Sequence, residues 1–517
     1  MLLYNPAPAQ ASVAPVDYNG DGYSDLAIGV PNEGINGKAE SGMVNIIYGS
    51  ASGLSATAVP DQRFFQDSPD IADVSEVDDH FGEALASGDF NDDGYSDLAV
   101  GVPDEDVGPH VDAGAVSVIY GSASGLSATI VPDQIWHQDS VNVEGFPDTS
   151  EHFGSALAAG DFNNDGYSDL AIGVPLDYVN SVGGAGSVNV LYGSASGLSA
   201  TTIPDQTWSQ NSANVEDTVE FGDHFASALA AGDFNDDSID DLAIGVPDED
   251  INGQSNAGSV NVIYGSGSGL SATSVPDQRF FQDSPDVADF SEAGDTFGAA
   301  LAAGDLNGDG PADLIAGIPG ENLSSSDEGA VAVIYGSLSG LSATAVLADQ
   351  FWTQNSPDVG DGSGADGAEA DEMLGTAVAS GDFNNDGYGD MAASAPRDNA
   401  GASSATPGVV NVIFGSAAGL STMTVPDDVI VGNNRAANAH ALESGDFDGD
   451  SIDDLAIGMP FYDVSPVFFD FDLIGAVTVF YGSGSGLGSM EVWTQDTPNV
   501  EDVAEDGEMF GAAVSAG

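Results

Sequence analysis

Apolar and polar residues alternate with a period of two through short runs along nearly the whole chain, and clusters of Gly, Pro, Asn and Asp bound each run. That pattern predicts short strands joined by tight connections. The runs recur in a fixed order of four. The first is an apolar-polar stretch such as Phe81-Gly-Glu-Ala-Leu-Ala-Ser-Gly88, and the second follows an Asp-rich loop as DLAVGVP from Asp97. The third alternates strictly, as in Ser259-Val-Asn-Val-Ile-Tyr264, and the fourth is a weaker stretch around Phe351 and Trp352. Helical periodicity is absent.

The unit repeats. The Asp that opens each Asp-rich loop falls at 17, 89, 161, 233, 305, 382 and 446, four intervals of 72 residues followed by 77 and 64. Seven copies of a four-strand unit predict an all-β fold, a seven-bladed β-propeller of four-stranded antiparallel blades, in which each blade packs its faces on its neighbours. Residues 1–16 are expected to form an N-terminal tail and residues 17–517 the propeller. A single sandwich of so many strands is implausible, and a β-helix needs a much shorter repeat. Blades of the Trp-Asp type would end the third strand differently from the Tyr-Gly-Ser found here at Tyr48, Tyr120, Tyr192, Tyr264, Tyr335 and Tyr481, with Phe414 in the sixth unit. All four tryptophans (Trp136, Trp208, Trp352, Trp493) occupy one repeat position, completed by Phe64, Phe280 and Ile430, which marks a packing device.

The ends carry a closure signal. Pro6, Pro8 and Pro15 disfavour a strand before Asp17, whereas Met509–Gly517 matches the first-strand pattern. The last strand is therefore expected to complete the first blade and close the ring; the competing reading is a longer array cut at this point.

Each Asp-rich loop spans nine residues with oxygen donors at positions one, three, five and nine and a backbone carbonyl at seven. The predicted ligands are Asp17, Asn19, Asp21, Tyr23 and Asp25 in the first loop, and Asp89, Asn91, Asp93, Tyr95 and Asp97 in the second. The third and fourth offer Asp161, Asn163, Asp165, Tyr167 and Asp169, then Asp233, Asn235, Asp237, Ile239 and Asp241. The fifth and sixth offer Asp305, Asn307, Asp309, Pro311 and Asp313, then Asp382, Asn384, Asp386, Tyr388 and Asp390. Asp446, Asp448, Asp450, Ile452 and Asp454 complete the set. Ca²⁺ takes six to eight oxygen ligands in flexible geometry, whereas Mg²⁺ prefers a rigid octahedron with several waters. Up to seven Ca²⁺ are expected, one per blade, because a lone Asx-rich turn needs no ion but seven such sets of carboxylates repel without one. Position six is Gly except at Ser238 and Ser451, where the sharp turn is expected to be strained.

Composition narrows the function. Five Lys and Arg against 84 Asp and Glu give a formal net charge of -79, which excludes phosphate-mediated binding to nucleic acid. With 42% hydrophobic residues the chain still buries a large core. It lacks cysteine, and no apolar run reaches the roughly 18 to 20 residues of a bilayer span. The start lacks a signal-peptide pattern, so either a signal was removed or the chain is a fragment.

Phe81-Gly82 and Gly101-Val102-Pro103 around the second Asp loop resemble the FG-GAP repeat of integrin α subunits and of many bacterial repeat proteins. The resemblance implies Ca²⁺ in the hairpin between the first two strands of a blade and an adhesive or ligand-binding role outside the cell or at its surface. The chain departs from integrins in carrying the loop in all seven blades, and its 517 residues hold no leg domain, membrane anchor or inserted adhesion domain.

No catalytic constellation breaks the repeat. His80, His152 and His224 share one repeat position and read as blade-packing residues, while His110, His137 and His440 are single. The Gly-Ser-Ala-Ser-Gly runs are turn sequence, one place off a nucleophile elbow. The expectation is a non-enzymatic, calcium-binding module for protein or glycan; the alternatives are a non-catalytic propeller within a larger secreted hydrolase or surface protein, and a structural spacer. In an up-down meander the calcium loops share one side with the Gly-Ser turns. Ligand is expected on the opposite side, where segments such as Asp104–His110, Asp70–Glu76 and Tyr462–Phe469 lie, with Phe468 and Phe469 as apolar candidates. Oligomeric state is not fixed by the sequence.

Overall fold

The computed structural model describes residues 16–69, 71–285, 287–323, 326–344, 347–357, 359, 370–398, 408–421, 428–431, 439–462, 473–500 and 502–516. The expected tail lies outside these residues except for Val16, and so do Phe468 and Phe469. Seven four-stranded antiparallel sheets make up the fold, and no helix occurs among the described residues. In the second blade the strands are Leu85–Gly88, Asp97–Val102, Ala115–Ile119 and Gln134–Trp136, paired in chain order.

The first strands of successive blades contact one another around the centre, so they line the axis and the fourth strands form the rim. Ring closure follows the expected route. Val514–Ala516 pairs antiparallel with Leu26–Val30 and supplies the innermost strand of the first blade.

The second strands are buried at every position because both faces meet a neighbouring blade. The core is accordingly divided into seven apolar layers, one per seam. Between the second and third blades, Val116, Val118 and Tyr120 meet Leu170, Ile172 and Leu191, and Trp136 packs against them. The repeated bulky position sits opposite a third-strand valine in every blade, from Val44 with Phe64 to Val477 with Trp493, and the backbone register of Val410 with Ile430 follows the same rule. The packing reading of the tryptophans holds.

Polar staples cross the same seams. The Tyr120 hydroxyl donates to Gln134 of its own blade and accepts from the Leu198 amide of the next at 3.2 Å. Gly197 sits against that hydroxyl with φ of +88°, and a Cβ there would lie 1.8 Å from it, so the Gly-Ser turn requires glycine.

The first strand begins later than the alternation implied. Only Leu85–Gly88 is strand in the second blade, while Phe81 forms a parallel bridge to Gly42 of the preceding blade. Gly82 turns the backbone with φ of +95°, so Phe81 is buried in the seam and not in its own sheet. The glycine of Gly-Val-Pro accommodates this crossing: a Cβ on Gly101 would lie 2.2 Å from the Gly154 carbonyl of the next blade.

Candidate metal centres

Each nine-residue loop joins the innermost strand to the second, and its last residue lies at the start of that buried strand. In the second blade Asp89 turns its carboxylate back over the loop and accepts the amides of Asp93 at 3.2 Å and Gly94 at 2.9 Å. Asp97, at position nine, is buried and accepts the Phe90 amide at 2.9 Å and the Gly121 amide at 2.8 Å. Gly121 belongs to Tyr-Gly-Ser, so the loop and the Gly-Ser turn meet on one side of the ring as the meander requires. The position-nine carboxylates of all seven loops accept from that glycine.

The donor set fits a hard cation. Asn91, at position three, donates its side-chain amide to Asp97, and its own carbonyl oxygen is buried with no hydrogen-bond partner. An acceptor left in that state costs about 1–3 kcal/mol, and a cation in the loop would satisfy it. In the seventh loop, where Asp448 replaces the asparagine, ligand oxygens of Asp446, Asp448 and Asp454 lie within 4.8 Å of one another. The position-five aspartates are the exposed members, and Asp93 and Asp165 each accept the amide of their position-seven residue at 3.1 Å. In the first six loops the position-three asparagine thus donates its side-chain amide to the position-nine carboxylate, and in the seventh three of the predicted carboxylates converge.

Two features were not read from the sequence. Position four as well as position six is left-handed: φ is +54° at Asp92, +55° at Asn164 and +57° at Asn385. The signal was there, since only Gly, Asp and Asn occupy this position, the residues that tolerate this conformation best. The second feature is a cycle. The position-eight amide of each loop donates to the position-one carbonyl of the preceding loop, from Ser96 on Asp17 at 3.0 Å around to Ser24 on Asp446 at 2.9 Å. Seven loops therefore form one hydrogen-bonded ring.

Ser238 and Ser451 have φ of +67° and +70°, as the glycine pattern implied. A Cβ at Gly94, Gly166 or Gly387 would meet nothing within 4 Å, so the glycines serve backbone conformation and not space. Ser238→Gly is expected to stabilise its loop by about 1 kcal/mol and to tighten ion binding there, measurable by calorimetric titration beside the parent; weaker binding would overturn this account of position six.

Burial, followed by repulsion from the loop partners, pushes the position-nine carboxyls far above the usual carboxylate range. Without an ion Asp25 rises to about 9, and Asp97, Asp169, Asp241, Asp313, Asp390 and Asp454 rise to about 8. Such groups hold protons more tightly folded than unfolded. Their contribution to stability is complete below the unfolded value near 4 and is lost as pH rises through about 8. Ion-free protein is therefore expected to melt at higher temperature at pH 5 than at pH 8.5, at constant ionic strength. In calcium the order should reverse, because protons then compete with the ions. Scanning calorimetry at both pH values checks the sign; an ion-free melt that rises with pH would contradict it.

The histidines depart from the packing expectation. His80 and His224 are half-buried and pair with Asp104 and Asp248 at 2.5 Å and 2.6 Å, while His152 lies 3.4 Å from Asp104. The sequence hid this because the aspartate follows 24 residues later and is absent from most blades.

A family model described as "FG-GAP repeat" matches residues 9–46, 81–119, 153–191, 225–263, 297–334 and 374–406. Among curated proteins, human phosphatidylinositol-glycan-specific phospholipase D is 37% identical over 170 residues, 32% of this chain and 18% of that protein. Integrin alpha-5 of Xenopus laevis is 28% identical over 242 residues, 46% of this chain and 20% of its own length. Integrin alpha-3 of Cricetulus griseus is 30% identical over 183 residues, 35% of this chain and 15% of its length. The chain thus spans about a fifth or less of these relatives. No helix among the described residues is long and apolar enough to cross a membrane. Six matched repeats and integrin α relatives, laid over seven four-stranded blades, make this chain an FG-GAP repeat protein with an integrin-like β-propeller.

Proposed function

We propose that the chain is an extracellular or cell-surface module that binds up to seven Ca²⁺ on one face and a protein or glycan on the other, without catalytic activity of its own. Calcium is supported by the donor set: oxygen-only, acidic, and carrying a buried acceptor in want of a partner at Asn91. Such loops suit the millimolar calcium found outside cells, where sites of modest affinity fill.

The observation that carries the binding role lies on the opposite face, in the blade-to-blade connections. Val74, Phe146 and Phe290 share one repeat position and project into solvent, with Phe146 88% and Phe290 74% exposed. Val503 follows the same local turn, in which an aspartate accepts the amide of the next residue at 2.8 Å, as Asp73 does for Val74. Phe221 adds an aromatic side chain at 87% exposure. Large apolar groups at repeated positions on a surface this acidic are unfavourable in water unless something covers them, and loops on a rigid scaffold are where binding residues concentrate. Given the net charge, the partner is basic, glycan-like or bridged by calcium.

The test is a calcium-containing glycan array and a panel of basic proteins, read with the parent and with Phe146→Ser/Phe290→Ser. The proposal expects at least one ligand whose binding falls tenfold or more in the double variant while the calcium count is unchanged. Binding that maps to the loop face instead would overturn it. A second reading, a non-catalytic propeller within a larger secreted hydrolase or surface protein, rests on the matched segment of phospholipase D.

A further inference from the structure

One cluster on the face opposite the acidic loops breaks the repeat. His80 and Glu83 stand where the chain enters the innermost strand of the second blade, and Asp104 follows that blade's second strand. His152 enters from the third blade. Asp104 lies between the histidines, with Oδ2 at 2.5 Å from Nδ1 of His80 and Oδ1 at 3.4 Å from Nδ1 of His152. Ligand atoms of His80, Glu83 and Asp104 all fall within 4.8 Å of one another. The backbone holds the entries in place: the His80 amide donates to the Glu40 carbonyl at 3.1 Å and the His152 amide to that of Asp112 at 3.3 Å.

The fourth blade shows the same motif reduced to a single hydrogen-bonded pair. His224 meets Asp248 at 2.6 Å, the other Asp248 oxygen accepts the Asn256 side-chain amide, Ser227 replaces Glu83, and Thr296 replaces the second histidine. That pair is complete by itself. In the second blade the extra carboxylate and the extra imidazole go beyond what pairing needs, and no other blade has an acid at the position of Glu83.

We propose that His80, Glu83, Asp104 and His152 bind one Zn²⁺ at the seam of the second and third blades. Two imidazoles and two carboxylates suit a borderline cation with tetrahedral preference, whereas Ca²⁺ favours the all-oxygen loops. Zn–N and Zn–O bonds of about 2.0–2.2 Å place tetrahedral ligand atoms roughly 3.3 Å apart, so His152 already stands at such a spacing from Asp104, whereas His80 and Asp104, now at 2.5 Å, would open slightly to admit the ion. The hydrogen shared between Nδ1 of His80 and Asp104 in the ion-free pair leaves to solvent when that nitrogen takes the metal. By joining two blades, the ion would fix this seam from the face that the calcium loops do not reach.

Calorimetry with Zn²⁺, and visible spectroscopy with Co²⁺ as a probe, test this in saturating calcium, which occupies the oxygen sites. One equivalent of calcium-resistant Zn²⁺ is expected, with Co²⁺ giving the intense visible bands of four-coordinate geometry. Glu83→Gln, at an exposed position, and His80→Ala should each weaken binding at least tenfold, His152→Ala should also weaken it, and His224→Ala should leave it unchanged. Melting curves in calcium establish that each variant is folded. The proposal fails if no calcium-resistant Zn²⁺ binds, if Glu83→Gln and His80→Ala bind as the parent does, or if His224→Ala loses as much as His80→Ala. None of these outcomes bears on the calcium loops or the apolar face.

Discussion

Removal of divalent ions at low ionic strength is expected to lower the melting temperature of this protein by roughly 15–20 °C. An ion that binds only the folded state contributes about 2.7 kcal/mol at a hundredfold excess over its dissociation constant, and seven loops act in parallel. The per-residue entropy of unfolding converts that sum into the stated shift for a chain of 517 residues. Electrostatics act in the same direction, because seven divalent ions offset fourteen units of a net charge of -79 and do so where carboxylates are most crowded. The hydrogen-bonded cycle of loops adds cooperativity: relaxing one loop loosens the carbonyl that the next loop's position-eight amide uses. Differential scanning calorimetry of chelator-stripped, desalted protein against the same protein in millimolar calcium reads the effect. A shift below about 3 °C would mean that the loops are self-sufficient Asx turns.

The second large effect is at position nine. Asp97→Ala removes the acceptor for the buried amides of Phe90 and Gly121 and for the Asn91 side chain, besides removing a ligand. With about 1–3 kcal/mol for each buried donor left unpaired, the variant is expected to lose roughly 4 kcal/mol even without calcium. Asp97→Asn separates the two causes. The amide resembles the protonated acid that dominates at pH 7 when the carboxyl stands at about 8, so its ion-free stability should stay within about 1 kcal/mol of the parent. In calcium it should fall by the contribution of one ion, about 2–3 kcal/mol. Denaturant unfolding of both variants, with and without calcium, checks the pattern; equal losses for Asn and Ala in ion-free buffer would contradict the hydrogen-bond account.

The fold was legible because a repeat of fixed length carries strand order, loop chemistry and packing positions seven times over. Ile430 could be aligned with the tryptophans on spacing alone, and the register opposite Val410 agrees. The Asp-rich loops proposed to hold calcium were legible for the same reason. What spacing does not carry is where the chain leaves its own sheet: Phe81 continues the alternation but is turned by Gly82 into the neighbouring seam. The cycle of loop amides was also beyond reach, because it joins residues of adjacent blades through their backbones, where side-chain pattern has no say. The pairing of His80 with Asp104 was missed because a repeated histidine suggests packing, and its partner is supplied by only two blades. The sequence pointed to Phe468 and Phe469 as apolar candidates and not to Phe146 and Phe290, whose common repeat position was the available sign.

The central claim is that each of the seven loops holds one calcium ion in the folded protein. Equilibrium dialysis against millimolar calcium, followed by elemental analysis of the dialysed protein against its dialysate, measures that number directly. The account predicts close to seven calcium ions per chain, falling by one in Asp165→Ala; a count near zero, or one that Asp165→Ala does not change, would contradict it.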